Sequence, residues 1–260
     1  MEILRWQVRN TLKNYQYILC DSAQNAVLID PLDTTEINRL VAAQNLQIRA
    51  ILITHEHNDH AAEALPLQQK YNVPVYTSAA NIPLLRAAAT PIADKATVAP
   101  SPALALQLHL TPGHTVGHAA FEINGFLFSG DCLFHGGCGH CRLPGANVAE
   151  HYRTFTERLP RLNPDLILMP GHYYAARNLD FALHVEPHNP QARTLRARLQ
   201  SEADELRYQT TLRQEKDYNP FLRLTSPALR ERLTELTGQD LTASDNFTIF
   251  RTLRSLRDNW

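Results

Sequence analysis

Ile51-Leu52-Ile53-Thr54-His55-Glu56-His57-Asn58-Asp59-His60 is an apolar run that stops at a threonine and is followed at once by three histidines and an aspartate. A continuous apolar run is the pattern of a strand buried on both faces. The stretch therefore reads as a central strand whose end delivers four metal-ligating side chains within six residues. One histidine in such a place would be ordinary. The H-x-H-x-D-H spacing gathers four good ligands and points to a metal site.

Outward from this stretch the same arrangement recurs. Residues 104–110 alternate as a strand and run into Thr111-Pro112-Gly113-His114. Phe121-Glu122-Ile123 and Phe126-Leu127-Phe128 flank Asn124-Gly125, a type I′ hairpin signal. The second of these strands ends in Ser129-Gly130-Asp131, and Asp165-Leu166-Ile167-Leu168-Met169 ends in Pro170-Gly171-His172. Loops at strand ends are where layered α/β proteins collect functional groups. Here they collect His55, His57, Asp59, His60, His114, Asp131 and His172. Seven ligands exceed the four that one zinc takes; they fit two metals sharing a bridge, for which an aspartate has the two oxygens. Two such ions, about 3.5–4 Å apart, lower the pKa of a water between them. The expected reaction class is hydrolysis at an electrophilic carbonyl or phosphorus. Eight of the ten glycines lie between Gly113 and Gly145, as loops that approach a ligand closely require.

The flanks supply the rest of an α/β chain. Tyr15-Gln16-Tyr17-Ile18-Leu19-Cys20 and Ala26-Val27-Leu28-Ile29-Asp30 read as strands, with a helix over residues 35–45 capped by Thr34 or Thr35. Asn58 or Asp59 is expected to cap a helix running to residue 71; a short strand at Val73-Pro74-Val75-Tyr76 and a helical segment near residues 79–89 follow. From residue 175 the pattern turns helical. A long helix is expected over residues 191–213, another from Ser226-Pro227 to Gly238, and a last one capped by Ser244-Asp245. A boundary near residue 174 divides a metal-binding catalytic domain, 1–174, from a helical C-terminal domain, 175–260.

Composition narrows the partners. With 25 basic and 26 acidic residues the net charge is -1, so no general attraction to nucleic acid or membrane surfaces is expected. No run approaches a membrane span, and the N-terminus lacks the pattern of a secretion signal. The four cysteines, Cys20, Cys132, Cys138 and Cys141, are expected as free thiols of a cytoplasmic protein.

Thr54-His55-Glu56-His57-Asn58-Asp59-His60, Thr111-Pro112-Gly113-His114-Thr115-Val116-Gly117-His118, Gly130-Asp131 and Gly171-His172 resemble the metallo-β-lactamase superfamily. Within it the chain is most similar to the glyoxalase II (hydroxyacylglutathione hydrolase) family. That closer likeness rests on Asp131-Cys132-Leu133-Phe134, Gly136-Gly137-Cys138-Gly139, His172-Tyr173-Tyr174, Asn178-Leu179, Asn219-Pro220-Phe221-Leu222-Arg223 and the run from Arg254 to Trp260. The resemblance implies an αββα sandwich with a C-terminal helical domain. It implies one metal on His55, His57 and His114, a second on Asp59, His60 and His172, and Asp131 as the bridge, with Asp59 also orienting the nucleophile. Zinc is the expected metal, iron and manganese the alternatives. The implied activity is hydrolysis of S-D-lactoylglutathione to D-lactate and glutathione by a monomer, with Tyr174, Arg254 and Arg257 contacting glutathione. The chain departs from the family at His140 to Gly145, a loop about two residues longer in which Arg142 stands as the candidate cation, and at Tyr173, where glutamate is usual. The rival readings are a mononuclear iron persulfide dioxygenase, which typically lacks the helical tail, a hydrolase of another thiol ester, and a non-catalytic thiol- or metal-binding relic.

Overall fold

The computed structural model describes residues 1–199 and 207–260. In the N-terminal half, β1 (Glu2–Gln7), β2 (Tyr15–Cys20), β3 (Asn25–Ile29), β4 (Gln47–Leu52), β5 (Val75–Thr77) and β6 (Ala89–Pro91) lie side by side in that order. They are antiparallel from β1 to β3 and parallel from β3 to β6. The second sheet runs through β7 (Thr97–Val98), β8 (Leu106–Leu110), β9 (Ala119–Ile123) and β10 (Phe126–Gly130). A small hairpin of β11 (Leu133–Phe134) and β12 (Gly137–Cys138) follows, and β13 (Ile167–Pro170) then returns parallel to β10.

The alternation of side chains along the strands decides the layering. On β2, Tyr15, Tyr17 and Leu19 enter the cluster between the sheets, with Leu52, Leu108, Phe121, Phe128 and Met169. Ile18 and Cys20 face the other way, joining Leu28, Ile51 and Val75 beneath α1 (Thr34–Ala43) and α3 (Ala64–Tyr71). On the second sheet Leu127 and Leu168 point outward, into a cluster shared with Phe155, Phe181, Phe221, Leu229 and Phe250. The result is an αββα sandwich. Its fourth layer contains α4 (Val148–Arg153), α5 (Ala175–Val185), α8 (Pro227–Thr237) and α9 (Asn246–Asp258), with α6 (Pro190–Arg198) and α7 (Leu212–Tyr218) alongside. No helix among the described residues is long and apolar enough to cross a membrane.

Most elements fall where the sequence places them, and the differences have local causes. Asp33, not Thr34 or Thr35, caps α1 by accepting from the Glu36 amide at 3.1 Å. The helix expected over 59–71 is two: α2 (Asn58–Ala61) and α3, with His57, not Asn58 or Asp59, at the first N-cap position and no side-chain cap bond. Pro66 explains the break, since its ring removes the bond to the Ala62 carbonyl and crowds it. Over 79–89 there is only a short 3₁₀ turn, Ile82–Leu84; Asn81 turns inward to donate to Thr54 O and Thr77 Oγ1. The long helix expected over 191–213 ends at Arg198, its stretch 200–206 lying outside the described residues. Residues 210 and 211 are extended because Thr210 O accepts from the Leu168 amide and the Leu212 amide donates to Leu166 O at the edge of β13. Ser226, Gly238 and Asp245 act at helix ends as expected.

Candidate metal centre

The loops after β4, β8, β10 and β13 meet at one end of the sandwich. The loop after β4 carries His55 and His57, and α2 brings Asp59 and His60; His114, Asp131 and His172 come from the other three. Two glycines make the approach possible. Gly130 holds φ +48°, a region open to glycine. At Gly171 a Cβ would stand 2.7 Å from Asp131 Oδ1 and 2.8 Å from His60 Cε1.

Ligand atoms converge in two groups, His55–His57–His114 and Asp59–His60–His172. In the first, His57 Nδ1 is 3.1 Å from both His55 Nε2 and His114 Nε2. In the second, His60 Nε2 and His172 Nε2 are 3.2 Å apart, and Asp59 Oδ2 is 3.3 and 3.4 Å from them. Asp131 stands between the groups. Its Oδ1 lies 3.3 Å from His60 Nε2 and 3.2 Å from His172 Nε2, and its Oδ2 lies 3.5 Å from His114 Nε2.

The outer nitrogens fix the tautomers. His114 Nδ1 faces the His140 carbonyl at 2.7 Å and His172 Nδ1 the Leu12 carbonyl at 2.8 Å. A carbonyl only accepts, so each Nδ1 holds the proton and each Nε2 turns a lone pair inward. Asp30 does the same work for two more ligands. Its Oδ2 accepts from His60 Nδ1 at 2.9 Å and from the Thr54 hydroxyl at 2.7 Å, and Thr54 Oγ1 in turn takes His55 Nδ1 at 2.9 Å. Asp30, His55 and His60 also lie close enough to form a ligand group, but these bonds make Asp30 the acceptor that aims the other two.

Lone pairs and carboxylate oxygens thus face one another at 3.1–3.5 Å, and the buried Asp131 Oδ1 has no hydrogen-bond donor. That is an arrangement for cations, and the histidine and aspartate groups fit a dinuclear metal site. The electrostatics agree. Burial pushes His55 well down and His114 down to about 4, so both imidazoles are neutral near pH 7, as metal ligation requires. Burial alone would raise Asp131, yet His172 and His60 hold it well below the carboxylate range. For His60, burial acts downward but Asp131 and Asp30 outweigh it and shift it well up, the mark of a pocket that attracts positive charge.

Glu56, between two ligands in sequence, belongs to neither group. His118 accepts from the Asp131 amide at 3.1 Å and stacks on His55 at 4.9 Å, so it supports the ligands without joining them. Asn14, missed by the sequence reading, donates to Asp59 Oδ2 at 3.0 Å. Asp30 was missed too, although a lone carboxylate ending the apolar run Ala26-Val27-Leu28-Ile29 was its signal.

A cleft of about 530 Å³ opens from His57, Asp59, Asp131 and His172 toward Phe134, Tyr174, Arg142, Arg177, Arg254 and Arg257. Tyr174 lies flat on His172, ring centres 4.9 Å apart. The arginines differ. Arg254 is 5% exposed and donates to the carbonyls of Cys138 and Gly139 and to Asp258. Arg142 is exposed and donates to the Asp258 carbonyl at 3.1 Å. Arg257 is half-buried and donates to Asn178 Oδ1 at 3.1 Å. Arg177, on α5, went unremarked in the sequence.

The sandwich and its ligand-bearing strand ends define the class. Residues 11–172 match the metallo-β-lactamase superfamily, and the chain is a metal-dependent hydrolase of that fold. Residues 173–260 match the hydroxyacylglutathione hydrolase C-terminus. The hydroxyacylglutathione hydrolase of Nitrosococcus oceani is 34% identical over 257 residues, covering 96% of this chain and 97% of that protein. That of Anaeromyxobacter dehalogenans is 36% identical over 247 residues, 94% and 95% of the two chains. The chain belongs to the hydroxyacylglutathione hydrolase family. Among solved structures, ETHE1 from Myxococcus xanthus superposes with a TM-score of 0.70 at 20% identity, covering 98% of this chain and 91% of that one. TTHA1623 in a di-iron-bound form gives 0.62 at 24% identity, covering 84% and 100%. These two likenesses are of fold.

Proposed function

We propose that the chain hydrolyses the thioester of a 2-hydroxyacylglutathione, S-D-lactoylglutathione foremost, releasing the hydroxy acid and glutathione. The observation that carries this reading is the single cleft in which both ligand groups and an arginine-rich wall open onto the same space. His55, His57 and His114 would hold one divalent cation and Asp59, His60 and His172 the other, with the Asp131 carboxylate standing between the two groups. When bound, such a pair supplies a water-derived nucleophile at neutral pH and polarises the thioester carbonyl.

The chain's own groups do the rest. Asp59, fixed by Asn14, orients the attacking water, and the tautomers set by Asp30, His140 O and Leu12 O keep the ligands aimed. Water adds to the carbonyl carbon and the C–S bond breaks. The thiolate leaves without a strong general acid, because a thiol's pKa of about 8.5 makes it a good leaving group. Phe134 and Tyr174 flank the approach, and arginines meet the carboxylates of glutathione. Zinc is the proposed metal. The working division is a catalytic domain over 1–174 and a thiol-recognising domain over 175–260, acting as a monomer in the cytoplasm.

The test is metal analysis of the purified protein combined with loss of thioester absorbance on S-D-lactoylglutathione. Two metals per chain with turnover is the expected result. Two metals without turnover of any glutathione thioester would sink the substrate assignment.

A further inference from the structure

His151, on α4, belongs to neither ligand group, yet it is fully buried and touches the chain beside two of the ligands. Its Nε2 faces the Cys132 carbonyl at 3.1 Å, one residue past Asp131. A carbonyl only accepts, so Nε2 carries the proton and Nδ1 keeps a lone pair. Facing that lone pair at 3.3 Å is the Cys141 thiol. Burial pushes the thiol up to about 12 and the imidazole down to about 3, so the thiol stays protonated and acts as a donor rather than a nucleophile. The backbone of His151 also lies against Gly113, one residue before His114: a Cβ on Gly113 would stand 2.3 Å from His151 Cα. Two further bonds clamp this helix region to the same loop, from the Asn147 amide to Gly113 O at 2.8 Å and from Thr154 Oγ1 to Pro112 O at 2.6 Å.

Cys141 matters through its neighbour. His140 presents the carbonyl that accepts from His114 Nδ1 at 2.7 Å. That carbonyl and the Cα of Cys141 lie in one peptide plane, so holding Cys141 holds the direction of the carbonyl. Residues 142–145 beyond it are exposed, and Cys141 is where the interior takes hold of this stretch. We propose that Cys141 and His151 are positioning residues of the metal centre: their bond sets the plane of the His140 peptide, whose carbonyl keeps the His114 proton on Nδ1 and its Nε2 lone pair turned inward. The proposal rests on the assignment of His55, His57 and His114 to one metal. It gives two residues outside both ligand groups a share in the affinity of that site.

The experiment uses the full-length protein with two readouts. The first is competition for bound zinc by a chromophoric chelator. Losing the partner that orients a metal-bound histidine costs about 10–100-fold in affinity, and Cys141 acts one peptide away from that partner, so Cys141→Ala should weaken one zinc about tenfold and the other by less than about twofold. Cys141→Ser, which keeps a hydroxyl donor for His151 Nδ1, should recover most of the loss. His151→Gln keeps a donor for Cys132 O and gives up the acceptor that faces Cys141. It should therefore match Cys141→Ala, and the double variant should be no weaker than either single one. Equal weakening of both zinc ions, no weakening, or a loss of about a hundredfold in the double variant overturns the proposal. The second readout needs no metal: nitrogen NMR of the histidine rings in metal-free protein. His114 should be the Nδ1–H tautomer in wild type and Cys141→Ser, and a mixture of tautomers in Cys141→Ala. A merely structural bond would lower stability and leave that tautomer in place, which would overturn the proposal. Wild type that binds fewer than two zinc ions refutes the ligand assignment, and the tautomer then decides the positioning role by itself.

Discussion

Asparagine at position 30 would remove one oxygen from the group that aims two ligands, without changing side-chain size. Asp30 Oδ1 accepts from the Thr54 amide at 2.7 Å, and Oδ2 accepts from the Thr54 hydroxyl and His60 Nδ1. An asparagine has one acceptor oxygen, so its NH₂ must face either the Thr54 amide or the hydroxyl and imidazole donors. A buried donor facing a donor costs about 1–3 kcal/mol. His60 can escape by moving its proton to Nε2, which removes the lone pair that points at Asp131 and His172. Losing such an orienting partner typically weakens metal binding about 10–100-fold, or about 1.4–2.7 kcal/mol, and the two estimates agree. The assay is titration of metal-free protein with zinc against a chromophoric chelator. Asp30→Asn should weaken the His60 site by that factor, and the His55 site less, because the Thr54 hydroxyl can re-aim. Both affinities within twofold of wild type, in a variant with unchanged circular dichroism, would refute the idea that Asp30 sets the tautomers.

Three further outcomes are expected. Glu215, fully buried, accepts from Thr210 Oγ1 at 2.6 Å, the Gly136 amide at 2.9 Å, Asn219 Nδ2 at 3.1 Å and the Tyr218 hydroxyl. Glu215→Gln should therefore orphan at least one buried donor and cost about 1–3 kcal/mol in denaturant unfolding. Burial alone would raise the Glu215 carboxyl, but His135, Thr210 and Tyr218 hold it below its ordinary value. A depressed carboxyl contributes stability above the unfolded pKa of about 4.3 and loses it as pH falls through the folded value. Denaturant midpoints should accordingly fall more steeply on acidification in wild type than in Glu215→Gln, and parallel curves would contradict this. Arg254→Ala leaves the Asp258 carboxylate and two loop carbonyls without their donor, so it should lower stability by about 3 kcal/mol and kcat together; a change in KM alone would mean Arg254 contacts substrate directly. Chelation of bound metal should lower Tm, and zinc should restore it, because the converging ligands bind cations only when folded; a Tm indifferent to metal would contradict the ligand assignment.

Much of the centre was legible because it is written locally. His55, His57, Asp59 and His60 fall within six residues, and His114, Asp131 and His172 each follow an apolar run. The strands of the sandwich were legible for the same reason, since Tyr15, Tyr17 and Leu19 alternate with Gln16, Ile18 and Cys20. What escaped depends on the third dimension. Asp30 lies 24 residues from Thr54 and 30 from His60, and Asn14 lies 45 from Asp59. No local pattern joins them. The two loop carbonyls that Arg254 bonds are likewise absent from its helix spacing. The break before α3 could have been foreseen from Pro66. The extended residues 210 and 211 could not, because they are set by the edge of β13.

The outward face of the second sheet and the tail helices share one apolar cluster, in which Leu127 and Leu168 meet Phe181, Leu229 and Phe250. The tail is therefore no appendage that could be trimmed to leave a minimal metalloenzyme. A chain stopped before α5 would keep α4 but expose much of the outer side of a five-stranded sheet, an adhesive surface in water. Cooperativity follows from the same packing: the tail helices and the sheet that presents Asp131 and His172 share one core, so calorimetry should record a single heat-absorption peak with equal calorimetric and van't Hoff enthalpies.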